Sequence, residues 1–393
     1  MKRLAIITTH PIQYNAPFFR RISESASLSV KVFYTWSQSR EGKNYDPGFG
    51  MNVSWDVPLL EGYQYMFVEN TSGNPGSHHH NGITNPTLVS EIEAWKADAV
   101  LVYGWNFKSH LQAIKYFKNK IPVFFRGDSH LLGEKNRLHS LIRRFFLKQI
   151  FKNIDYAVYV GTRNYEYFRA IGLKEKQLLF APHCVNDFFF LSNHREKLIK
   201  AEALRKSIGI TNDEIVFLFA GKLEDQKRPD LLLKAFIKAR IKKSHLVFVG
   251  KGSLEDRLKL IAKNDANVHF LGFQNQSEMP VMYHLSDVFV LPSKGETWGL
   301  SINEAMICGN AIIANDKTGC SVDIVKNGVN GYVIESNNEA QLIKALHNFG
   351  SDKDSAKKFG QNSMQIIQDW SLAKSSYLFI NAITKILAAK EIN

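Results

Sequence analysis

The chain has 393 residues, 45% of them apolar and 22% charged, and carries a net charge of +13. That length exceeds what one hydrophobic core usually organises, so two domains of roughly 180–200 residues are expected. The balanced composition, without Pro- or Gly-rich tracts, excludes a disordered or fibrous chain.

The opening run Leu4-Ala5-Ile6-Ile7 is too short for a signal-peptide core and meets His10-Pro11 at once, so it reads as a first strand. No apolar stretch approaches the roughly 20 residues of a membrane-spanning helix. The expected location is cytoplasmic, with peripheral contact on the inner face of the membrane. Further strands are predicted at Val30–Tyr34, Ala99–Tyr103, Val123–Phe125 and Tyr156–Gly161. His78-His79-His80 falls among Gly, Asn, Pro and Ser residues and reads as a loop rather than a metal tract.

Lys135 to Lys152 holds six basic residues and no acidic one. As a helix, it aligns Arg137, Arg144, Lys148 and Lys152 beside a broad apolar face that includes Leu141, Phe145 and Ile150. Two readings stand: a core-packing helix with a solvated charged face, or a helix lying on an anionic membrane surface. No nucleic-acid module accompanies the stripe, so nucleic acid is not an expected partner.

A boundary is predicted near residue 190, where Leu178-Leu179-Phe180 gives way to Ala181-Pro182. This divides the chain into 1–190, 191–370 and a helical segment 371–393 placed to pack on the first domain. Beyond the boundary, strands are predicted at Ile215–Ala220, Leu246–Gly250, Val268–Leu271, Val288–Leu291 and Ala311–Ala314. Strands alternating with helix-period segments through both halves predict an α/β chain with two doubly wound, Rossmann-like domains. Cys184, Cys308 and Cys320 show no paired spacing and read as reduced thiols rather than disulfide or zinc ligands; no metal site and no cofactor are expected.

Three segments carry chemistry. In the first, Val288-Phe-Val-Leu ends at Pro292, a polar loop holds Glu296, and a helix from about Gly299 holds Glu304 and closes at Gly309. Its first amides, at Gly299, Leu300 and Ser301, have no partner within the helix and favour phosphate. Two acids flanking an anion site suit a ligand with hydroxyls at both ends and charge between them. In the second, Gly221-Lys222-Leu-Glu-Asp-Gln-Lys227-Arg228-Pro229 places two lysines at a strand-to-helix turn, where they can neutralise a diphosphate. In the third, Gly250 and Gly252 would let backbone approach a ligand, and Ser253 reads as the cap of the next helix. The turn Leu271-Gly272-Phe273 offers backbone contacts to a base.

Taken in order over roughly residues 215–335, these segments resemble the donor domain of retaining glycosyltransferases of the GT-B fold, glycosyltransferase family 4. The resemblance rests on Gly221-Lys222-Leu223, the Gly-x-Gly strand end, Phe273, and Glu296-x7-Glu304 with Ala305-Met306 and Gly309. It implies two Rossmann-like domains facing a cleft, an N-terminal acceptor domain and a C-terminal nucleotide-sugar domain. It further implies that Lys222 and Lys227 hold the diphosphate, Glu304 the ribose and Glu296 the donor sugar, with the Gly299 and Leu300 amides near the phosphates. Lys222 departs from the more usual arginine and presents a point charge instead of a fork. Thr318-Gly-Cys-Ser-Val-Asp323 replaces the usual paired glycines and glutamate.

In the first domain, His10 and Gln13 would face the cleft, and Asp128 or His130 would orient the acceptor or take its proton. The expected reaction is retaining, metal-independent transfer from a nucleotide diphosphate sugar, UDP before GDP, to a glycan or lipid-linked glycan acceptor. The expected setting is bacterial surface polysaccharide synthesis, such as lipopolysaccharide or capsule. Two alternatives are a nucleotide-sugar 2-epimerase of similar fold and a catalytically silent membrane-surface scaffold.

Overall fold

The structure, a computed structural model, describes residues 1–37, 45–46, 48–133, 137–263 and 265–389. Strands β1 (Lys2–Thr8) and β2 (Leu28–Tyr34) precede a short antiparallel hairpin, β3 (Tyr45–Asp46) and β4 (Met51–Asn52). Then follow β5 (Gln64–Phe67), β6 (Ala99–Tyr103), β7 (Val123–Arg126), β8 (Tyr156–Tyr159) and β9 (Leu178–Phe180). Apart from the hairpin these make one parallel sheet, in the order β5-β2-β1-β6-β7-β8-β9.

The second half supplies β10 (Ile215–Ala220), β11 (Ser244–Val249), β12 (Val268–Phe270), β13 (Val288–Leu291), β14 (Ala311–Asn315) and β15 (Gly331–Ile334). They form a parallel sheet in the order β12-β11-β10-β13-β14-β15. The central strands β10, β11, β13 and β14 are buried along their whole length. Helices cover both faces of such a sheet, which is why these strands, apart from Ser244, His245 and Asn315 at their ends, are continuous apolar runs without polar alternation.

Contacts divide the chain into two units. One comprises Met1–Asn44, Pro58–His183 and Leu372–Asn393; the other comprises Tyr45–Val57 and Cys184–Ser371. The hairpin therefore groups with the second unit although its sequence lies in the first half. The helix Leu372–Ala389 groups with the first: Phe379, Ile383 and Leu387 are buried, Phe379 meets Phe18 edge-on at 5.3 Å, and Ser375 Oγ donates to the carbonyl of Pro182 at 2.7 Å.

In each sheet the strand order reverses once, between β1 and β6 in the first and between β10 and β13 in the second. The carboxyl ends of strands at such a reversal are where open α/β sheets bind ligands. Among the described residues no helix is long and apolar enough to cross a membrane.

Candidate functional site

In the second unit the loops after β10 and β13 diverge from the reversal point and carry the predicted site residues. Gly221 leaves β10 at φ +152°, and Pro229 opens the helix Pro229–Ala239 at its first position. Between them, Lys227 Nζ lies 2.6 Å from Glu296 Oε1, with both side chains largely buried. Gln226 Nε2 donates to the carbonyl of Gly295 at 2.8 Å, and the amide of Lys294 donates to the carbonyl of Gln226 at 2.8 Å. The two loops thus form one hydrogen-bonded unit.

Gly299 takes φ +101° and sets the start of the helix Leu300–Ile307; a Cβ there would fall 2.9 Å from Thr318 Cγ2. Thr318 pairs as a parallel bridge with Glu296, and the amides of Gly319 and Cys320 donate to the carbonyls of Glu296 and Trp298 at 3.0 Å each. The departing Thr318–Asp323 sequence therefore buttresses the Glu296 loop through its backbone. Its Cys320 is wholly buried, which pushes the thiol well above its ordinary pKa.

Glu304 sits further along the helix and is 3% exposed. Its Oε1 accepts from Gln276 Nε2 at 3.2 Å and its Oε2 from the Tyr283 hydroxyl at 2.7 Å. Gln276 and Tyr283 were not found from the sequence, because they stand 28 and 21 residues upstream with no spacing pattern linking them to Glu304.

The glycines of the third segment lie against the Lys222 loop. A Cβ on Gly250, at φ +134°, would lie 1.9 Å from the carbonyl oxygen of Gly221, and one on Gly252 would lie 2.5 Å from that of Leu223. Both glycines admit the Lys222 loop, and the Leu223 amide donates to the carbonyl of Lys251 at 2.9 Å to hold it. Ser253 is not the helix cap: the helix Glu255–Ala262 begins after Leu254 with no side-chain cap. In the turn after β12, Phe273 packs edge-on against Phe49 of the hairpin at 5.0 Å.

In the first unit, His10 and Gln13 follow β1 at its reversal point. His10 Nδ1 lies 2.9 Å from Thr9 Oγ1, its ring meets Trp36 edge-on at 5.4 Å, and burial lowers its pKa. Asp128 and His130 follow β7, which is separated from β1 by β6. His130 Nδ1 accepts the amide of Leu132 at 3.2 Å and closes a local turn. Asp128 Oδ2 instead faces His183 Nε2 at 4.0 Å, a residue with no spacing pattern in the sequence to link it to Asp128. Burial depresses the His183 pKa to about 4, so the imidazole is neutral near pH 7.

The helix Arg137–Phe151 buries Leu147, Ile150 and Phe151 but exposes Leu141, Ile142, Phe145 and Phe146, each more than half accessible. The apolar face is thus split between core and surface, and exposed Arg143 lies within the surface part. Arg144 is half-buried, the Lys148 stem lies along Gly172, and Lys152 Nζ donates to Gln149 Oε1 at 2.9 Å. Lys135 and the side chain of Arg137 lie outside the described residues.

Lys227, Glu296 and a helix N-terminus thus gather at the reversal of the second sheet, in the part of the chain that is similar to known proteins. Residues 200–365 match the family Glycosyl transferases group 1. An uncharacterized glycosyltransferase of Methanocaldococcus jannaschii is 33% identical over 152 residues, covering 38% of this chain and 39% of the relative. The UDP-Gal:alpha-D-GlcNAc-diphosphoundecaprenol alpha-1,3-galactosyltransferase of Escherichia coli is 33% identical over 162 residues, covering 39% and 41% respectively. The chain thus spans about two fifths of the length of these curated relatives. At the level of structure, Anabaena HepE in complex with UDP superposes with a TM-score of 0.72 at 16% identity, covering 98% of this chain and all of HepE. The fold is GT-B.

Proposed function

We propose that the chain is a glycosyltransferase that moves a sugar from a nucleotide diphosphate carrier to a glycan or lipid-linked glycan acceptor. The observation that carries this reading is the placement of Lys227, Glu296 and the N-terminus of the helix Leu300–Ile307 at one strand-order reversal of a glycosyl transferases group 1 domain. UDP is favoured over GDP, in keeping with the UDP bound to HepE and the UDP-Gal named for the E. coli relative. The undecaprenyl diphosphate in that relative's name supports a lipid-linked acceptor and a role in bacterial surface polysaccharide assembly.

In this reading Lys222 and Lys227, with the amides at Gly299 and Leu300, hold the diphosphate. As the bond from the anomeric carbon to the phosphate oxygen breaks, charge builds on the leaving phosphate, and fixed positive groups there lower the barrier. Glu296 accepts from donor-sugar hydroxyls, and Glu304 accepts from the ribose. The acceptor hydroxyl attacks from the face the nucleotide leaves and passes its proton to the departing phosphate oxygen, so configuration is retained. Because the lysines and the helix terminus supply the positive field, transfer proceeds without a divalent ion. On the first unit, Asp128 is the group assigned here to orient the acceptor, with neutral His183 beside it.

A thermal-shift series with UDP-, GDP- and ADP-sugars tests the donor site, since a ligand at 100 times its Kd adds about 2.7 kcal/mol of stability. A shift with one nucleotide family that disappears in Lys227→Ala supports the reading; silence across the series at millimolar concentrations overturns it. Inverted product configuration by NMR, or loss of transfer in EDTA, would remove the retaining or the metal-independent part alone.

A further inference from the structure

We infer that the hairpin β3–β4 is a built-in competitor of the donor: Asp46 occupies the ammonium of Lys222 where the donor diphosphate binds, and donor binding requires its release. The inference rests on the reading of Lys222 as a diphosphate ligand.

Lys222 Nζ lies 2.8 Å from Asp46 Oδ1. The same oxygen accepts the amides of Gly48 at 2.8 Å and Phe49 at 3.2 Å, so the hairpin's own turn presents the carboxylate to the lysine. Gly48 rests directly on the lysine stem: a Cβ there would fall 2.5 to 2.8 Å from Cδ, Cε and Nζ of Lys222. The ammonium also stands 5.1 Å from the centroid of the Phe49 ring, and that ring packs against Phe273. Carboxylate, glycine backbone and aromatic ring together enclose one lysine, and the ring also covers the turn expected to meet the base.

A second anchor lies away from the lysines. The carboxylate of Asp56 accepts the Ser277 amide at 3.0 Å and the Ser277 hydroxyl, and Asn275 Nδ2 donates to the carbonyl of Ser54 at 2.7 Å. Release of Asp46 therefore leaves the segment tethered at Ser54–Asp56. The Asp46–Lys222 pair is about one third exposed on each side, and so of modest strength. A diphosphate carries more charge and more acceptor oxygens than one carboxylate, which lets it take the ammonium in exchange.

The test compares UDP binding by calorimetry, with hydrogen exchange over residues 48–57, in wild type, Asp46→Asn and Lys222→Ala. Asparagine keeps an oxygen for the Gly48 and Phe49 amides, so the turn is preserved while the charge is lost. The inference expects Asp46→Asn to bind UDP about three- to ten-fold more tightly, Lys222→Ala to bind it more weakly, and saturating UDP to speed exchange at residues 48–52 of the wild type. If Lys222→Ala weakens binding while Asp46→Asn binds equally or less tightly, the hairpin is a support and the inference falls with the donor reading intact. If Lys222→Ala leaves UDP binding unchanged, or wild type binds no UDP, the assignment of Lys222 to this donor falls first and the inference with it.

Discussion

Lys227 and Glu296 form a close, largely buried ion pair that ties the loop after β10 to the loop after β13, with Nζ and Oε1 2.6 Å apart. Removing the lysine breaks this pair and, on the proposed reading, removes one positive group from the leaving phosphate. Lys227→Ala is expected to lower kcat/KM for transfer by about 100-fold or more, with Lys227→Arg intermediate. Radiolabelled donor transfer at matched protein concentration measures both.

Glu304 holds the Gln276 amide and the Tyr283 hydroxyl inside the second unit. Glu304→Ala removes this acceptor from both donors and should cost about 2 kcal/mol of stability in urea unfolding, in addition to weakening nucleotide binding. Glu304→Gln, which keeps an acceptor oxygen, should recover part of the stability.

Gly250 lies against the backbone of Gly221. Gly250→Ala combines a backbone clash with an unfavourable φ, and should destabilise the second unit by about 3 kcal/mol. Nucleotide binding should fall with it, because the Lys222 loop must shift. An unchanged unfolding midpoint would contradict the close approach.

His110 in the first unit is fully buried: its Nδ1 donates to the carbonyl of Gly104 at 2.9 Å, and its Nε2 lies 3.0 Å from Thr35 Oγ1. Burial depresses its pKa from 6.5 to about 4. Between those values the unfolded chain holds the extra proton, so stability is full above pH 6.5 and falls as the pH drops toward 4. The loss should be on the order of 2 kcal/mol by pH 4.5, read as a falling melting temperature, and shallower in His110→Gln.

Leu141, Ile142, Phe145 and Phe146 project from the helix Arg137–Phe151 beside exposed Arg143. If this surface meets an anionic bilayer, replacing the four apolar residues with serine should abolish co-sedimentation with phosphatidylglycerol vesicles without lowering the melting temperature. Replacing Arg143, Arg144, Lys148 and Lys152 with glutamine should weaken binding by roughly 1 kcal/mol per charge, less at high salt.

The central strands were legible because parallel strands buried on both faces write themselves as unbroken apolar runs, as in Ile215–Ala220. The edge strands β5 and β15 were not, being four residues long with exposed or half-exposed positions. Glu296, Glu304 and the two lysines were singled out through local spacing within two strand-to-helix segments. The partners Tyr283, Gln276 and Asp46 were not, since only tertiary packing of segments far apart in sequence brings them near. The close approach of Gly250 to Gly221 was not legible, because Gly221 lies on the neighbouring strand's exit. The apolar residues of the Arg137–Phe151 helix showed a broad face, and only packing reveals which half of it is covered.

The first unit is assembled from three separated stretches, the last of them the helix Leu372–Ala389. As the polypeptide emerges from a ribosome, Phe18 and the carbonyl of Pro182 wait without Phe379 and Ser375 while nearly two hundred intervening residues are made. The segment Cys184–Ser371 emerges in full before that helix does. Maturation of the N-terminal half is therefore timed by the C-terminal end of the chain, and a nascent chain stalled before residue 372 would hold an incomplete first core, open to chaperones and proteases.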